Sequence, residues 1–132
     1  MSLHSFPLQE RLYSTLNGDS TLGNLVTGVF DSVPDDTTLP VVQIGSATTT
    51  DDGMKGTDAR SYIFQIDIFS NYRGFKEVKQ IMQRVYTLLH EQALVVSGAN
   101  LINLRCEFTT QIIEGDGVIR HGIMRFRAYI TD

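Results

Sequence analysis

Toward the C-terminus, apolar and polar residues alternate along two segments separated by the tetrapeptide EGDG, residues 114–117. Ile102, Leu104, Cys106, Phe108, Thr110 and Ile112 hold the even positions of 101–113, and Asn103, Arg105, Glu107, Thr109 and Gln111 the odd ones. In 118–131 the even positions include Val118, Met124, Phe126, Ala128 and Ile130. A period of two sends successive side chains to opposite faces, so each segment reads as a half-buried strand and the pair as a hairpin. An Asp116-Gly117 turn would set Phe108 opposite Arg125. A Gly115–Gly117 loop sets Phe108 opposite Met124, Cys106 opposite Phe126, Ile102 opposite Ile130 and Glu107 opposite Arg125. One slip exchanges the faces, so burial of the apolar even side selects the second register, with Gly117 in the left-handed position.

The rest of the chain supplies what such a hairpin packs against. RSYIFQIDIFS, residues 60–70, is a strand with Tyr62, Phe64, Ile66 and Ile68 on one face. From Gly74 to His90 the period becomes helical, with Phe75, Val78, Met82, Val85, Tyr86 and Leu89 in one stripe. Leu8, Leu12 and Leu16 mark a first helix behind Pro7, stopped by Asn17-Gly18, and Asp19 or Ser20 caps a further short turn. VFDSVPDDTTLPVVQIG, residues 29–45, is two strands joined by a proline-bracketed turn, with Pro40 at a strand start or edge. Residues 48–58 are polar and glycine-bearing and are expected to form a mobile loop. The order is α-β-β-β-α-β-β. The expected fold class is α+β: an antiparallel sheet of about four to five strands with two helices packed on one face. A chain of 132 residues fits one domain, 1–132.

The residue inventory argues against chemistry. The acid pairs Asp35-Asp36 and Asp51-Asp52 lie in polar turns, where carboxylates solvate a loop. His4, His90 and His121 stand apart in sequence, with no second ligand at metal spacing. No nucleophile elbow, phosphate-binding glycine loop or dinucleotide fingerprint occurs. The expectation is no catalytic residue, no metal and no cofactor, and Cys106 reads as an inert buried thiol. Net charge is −4, which disfavours nucleic-acid binding. No apolar run reaches the roughly 18 residues of a membrane span, and no secretory leader is visible. Arg120, Arg125 and Arg127 make one strand basic, either solvated or facing a partner. Residues 1–58 hold eight acids and two bases, residues 59–132 seven acids and nine bases. The odd sheet face is half apolar, with Val41, Ile63, Phe69, Ile119, Ile123 and Tyr129, a composition suited to a partner.

With these segments placed, the chain resembles the tail-completion or tail-terminator proteins of long-tailed phages, prophages and gene transfer agents. The residues that carry the resemblance are VFDSVPDDTTLPVVQIG, YIFQIDIFSNYRGFKEVKQIMQRVYTLLH, LINLRCEF and IRHGIMRFRAYI, within residues 25–131. Matching positions are Asp31, Pro34, Pro40, Gly45, Arg73, Gly74, Arg120, Gly122, Arg125 and Phe126. Ile81, Met82 and Val85 depart from the alanine-rich helix face of many relatives.

The resemblance implies a non-enzymatic virion protein that caps the head-proximal end of the tail tube as a homo-oligomeric ring, commonly of six. It implies as partners the tail tube protein and the head connector, with passage for DNA and assembly in the bacterial host cytoplasm. A head–tail joining or minor tail protein of similar fold is the alternative, and a small-molecule-binding or hydrolytic α+β domain a third reading. The candidate interface residues are Asp31, Asp35 and Asp36 on the acidic side and Arg105, Ile123, Arg125, Arg127 and Tyr129 on the odd face, with Arg105 opposite Arg127.

Overall fold

The computed structural model describes residues 3–56 and 58–132. The chain runs through α1 (Ser5–Asn17), α2 (Ser20–Gly23), β1 (Gly28–Phe30), β2 (Val41–Asp51), β3 (Ala59–Ser70), α3 (Lys76–Leu89), β4 (Asn100–Ile113) and β5 (Arg120–Thr131). The short α2 is the expected capped turn, and the Asp19 carboxylate accepts from the Leu22 N–H at 2.8 Å. The five strands form one sheet in the order β1-β2-β3-β5-β4.

The core lies between one face of that sheet and the helices. Tyr62, Phe64, Ile66 and Ile68 of β3 and Met124, Phe126, Ala128 and Ile130 of β5 are buried there with Leu8, Leu12 and Leu16 of α1 and Val78, Ile81, Val85 and Leu89 of α3. Phe64 and Phe126 stack across the strand pair with ring centroids 5.3 Å apart. Burying these faces is the main drive to fold.

Three expectations are corrected. The sheet is mixed rather than purely antiparallel, because β1 pairs with β2 in parallel. The link 31–40 carries the chain back along the sheet instead of reversing it in a tight turn, and Pro40 precedes β2 directly. The irregular segment after β2 is shorter than expected, since Thr48–Asp51 pair with Arg60–Ile63. Thr57, a member of the expected 48–58 loop, lies outside the described residues.

The hairpin register is the third. Cys106 faces Phe126 and Arg105 faces Arg127 as derived, but bulges in β4 follow Leu101 and Cys106 and shift the pairing on either side. Leu101, not Ile102, faces Ile130, and Phe108 faces Arg125 rather than Met124. The Glu114 N–H bonds the Ile119 carbonyl at 2.8 Å, leaving four residues, 115–118, in the turn. Gly117 has φ of 73°, the left-handed conformation expected of it. Helix cover does not extend along the whole of β4. Leu104 is buried, whereas Phe108, Ile112 and Ile113 are exposed, so burial fixes the register only beside Leu104.

Candidate assembly interface

Among the described residues, no helix or strand covers the sheet face away from the helices. Ile123 and Tyr129 are half-buried there, and Arg105, Arg125 and Arg127 are exposed. Residues 28–30 at one edge and 110–112 at the other lie on the same rows, because the ladder runs Phe30–Gln43–Asp67–Ile123–Thr110 without a break.

The arginines are not equivalent. Arg105 pairs with Glu91, just beyond α3. Arg127 Nε donates to Glu107 Oε1 at 2.6 Å, so Glu107 serves Arg127 and not Arg125. The bulge after Cys106 sets Phe108 opposite Arg125, and the Arg125 guanidinium lies 5.1 Å from the Phe108 ring centroid. Among the described residues no carboxylate pairs with Arg125. Asp31, Asp35 and Asp36 are exposed and form no ion pair among the described residues. Gln9 reaches Asp31 only at 3.5 Å. Of the open-face arginines Arg105, Arg125 and Arg127, only Arg125 thus lacks a carboxylate partner among the described residues. Ile123 sits two residues along β5 from Arg125, Tyr129 two residues from Arg127, and the acids lie beyond the opposite edge strand.

Two features lie outside the candidate residues. The first is a chain of hydrogen bonds on the open face. His121 Nδ1 lies 2.7 Å from Glu114, its Nε2 lies 2.7 Å from Asp67, and Gln65 donates to Asp67 at 2.8 Å. Phe69 stacks on the imidazole at 4.4 Å. Asp67 and His121 are 54 positions apart, a separation no local pattern bridges. The second is a groove of about 340 Å³ between α1 and the β1 edge, lined by Phe6, Tyr13, Phe30, Ile44 and Asp31 among others. Phe6 and Tyr13 fall off the Leu8–Leu12–Leu16 stripe, a signal readable in the sequence.

On the helix side, Cys106 is half-buried, and burial raises its thiol pKa, so it is held as the protonated thiol. No group of three or more His, Cys, Asp or Glu suited to a metal ion occurs among the described residues. No described helix is long and apolar enough to cross a membrane.

The family model for "Tail completion protein gp17" matches residues 10–131. The chain belongs to that family. It is a structural tail protein of a phage-like particle, from a family of virion components. Among solved structures, a chain in the virion of a native gene transfer agent particle is similar at a TM-score of 0.92 and 25% identity, with 100% of both chains covered. No curated protein sequence matches. Family membership places the chain in a virion tail.

Proposed function

We propose that the chain caps the head-proximal end of the tail tube as a homo-oligomeric ring and presents the docking surface for the head connector. Its partners on this reading are other copies of itself, the tail tube protein below and the connector above, with DNA passing through the ring. Assembly takes place in the bacterial host cytoplasm. The family match over residues 10–131 carries the reading. The uncovered sheet face, with exposed Arg125 and half-buried Ile123 and Tyr129, supports it, because a partly apolar face gains by association. The work assigned to the chain is mechanical: to end tube growth and join two assemblies.

Electron microscopy of particles carrying an epitope on this chain tests the position. Label at the head–tail junction, with overlong or headless tails when the gene is deleted, is the expected result. Label along the tube or at the distal tip would overturn the reading.

A further inference from the structure

We propose that the distal part of β4 in one subunit seats against the α1–β1 edge of a second copy of this chain, head to tail. The inference rests on the ring reading above and assigns its seam. Four observations on opposite edges of the sheet carry it.

The first is level. Thr110–Ile112 of β4 occupy the same ladder rows as Gly28–Phe30 of β1. Subunits related by rotation about an axis along the strands therefore present these edges at equal height, as a closing heterologous contact requires. The second is direction. β1 runs parallel to β2, and β2, β3, β5 and β4 each run antiparallel to the next, so a neighbour's β1 approaches β4 antiparallel. The outer edge of β4 is bonded near α3, where the Glu91 N–H reaches the Leu104 carbonyl at 2.7 Å and the Cys106 N–H reaches His90 Nδ1 at 2.9 Å. No described segment bonds that edge beyond Cys106.

The third is layer. Past its bulge β4 turns Gln111 toward Met82 of α3, so Ile113 shares the helix side and is 48% exposed. On the opposite edge Phe6, 67% exposed, and Tyr13 project from α1 in that same layer. Ile112 and Phe108 lie on the open side, as does Phe30 across the sheet. The fourth is charge, since Arg125 has no carboxylate partner among the described residues while Asp31 and Glu10 line the groove. Apolar contact supplies the affinity and the charges set the direction.

Cross-linking tests the seam. Tyr13→Cys and Ile113→Cys are made separately and together in a Cys106→Ser background. Each is assembled on tails and treated with a short bis-maleimide. The expected result is no product from either single variant, dimers from their mixture and a ladder from the double variant. Product from a single variant alone would mean a two-fold contact and would overturn the seam. Normal tail completion with no mixed product would also overturn it while leaving the ring intact. A chain that stays monomeric on tails takes the ring reading down as well. Circular dichroism controls for folding, and Phe6→Cys with Ile113→Cys is the second pair if Tyr13→Cys fails to fold.

Discussion

Gly122 of β5 lies directly beneath Met82 of α3, so that a Cβ on Gly122 would stand 2.8 Å from Met82 Sδ and 2.9 Å from Val78 Cγ2. The helix approaches the sheet this closely only because that position has no side chain. Gly122→Ala must push α3 outward or force both neighbours off their rotamers, at about 1–3 kcal/mol. Urea denaturation measures the loss as a lower midpoint. A midpoint equal to wild type would show that the helix is not pressed against the strand there.

Asp19 joins α2 to α3. Its carboxylate takes Arg84 Nε at 2.9 Å and Nη2 at 2.8 Å while capping α2 through the Leu22 N–H. The Arg84 hydrogen bonds are the chief reason that its pKa falls from 3.8 to about 2, against opposing desolvation. A depressed carboxylate contributes stability that is fully present above its unfolded value and is lost as pH falls through the folded one. Stability therefore declines between about pH 4 and pH 2 through this group. Asp19→Asn should flatten that part of the pH profile, and Asp19→Ala should cost about 1–2 kcal/mol near neutrality. An unchanged profile in the Asn variant would assign the acid sensitivity elsewhere.

Arg125 and Arg127 give opposite expectations although they stand two residues apart. Arg127→Glu places two carboxylates together at Glu107, so the charge exchange Glu107→Arg with Arg127→Glu should restore the stability, about 1 kcal/mol for an exposed pair, lost in the single variant. Arg125→Glu removes no ion pair within the subunit and should leave circular dichroism unchanged. If Arg125 meets the acidic edge of a neighbour, the variant weakens association about five- to tenfold, given about 1 kcal/mol for an exposed pair. Tail completion titrated against subunit concentration reads the effect. Full activity at wild-type concentration would remove Arg125 from the interface.

Asp35 and Asp36 are exposed and unpaired among the described residues. Asp35→Asn with Asp36→Asn should shift folding stability by no more than about 0.5 kcal/mol. Any change in tail assembly then reflects lost charge on the acidic edge. A large fall in thermal stability would instead reveal a structural role for these carboxylates.

Gly53–Gly56 are exposed, with Met54 77% accessible. Their amides should exchange rapidly in the free subunit and become protected in assembled tails. Hydrogen exchange followed by mass spectrometry makes the comparison. Slow exchange in the free subunit would mean that the segment is ordered before assembly.

Periodicity determined the strands, the helices and their order, because side-chain direction repeats locally: two residues in Tyr62–Ile68, three to four in Val78–Leu89. The buried faces of β3, α3 and β5 followed, as did Gly117 in the turn, since its left-handed φ is a property of one residue. Tertiary structure decided the rest. Whether β1 runs parallel or antiparallel to β2 depends on the path of link 31–40, which no pattern within either strand encodes. The bulges of β4 arise where helix cover ends, so the burial that fixes register beside Leu104 has no hold at Phe108. That displacement moved Glu107 to Arg127 and left Arg125 over an aromatic ring. Charge could be counted along the chain, but the partner of each charge is set by contacts between segments far apart in sequence, and those exist only once the sheet has formed.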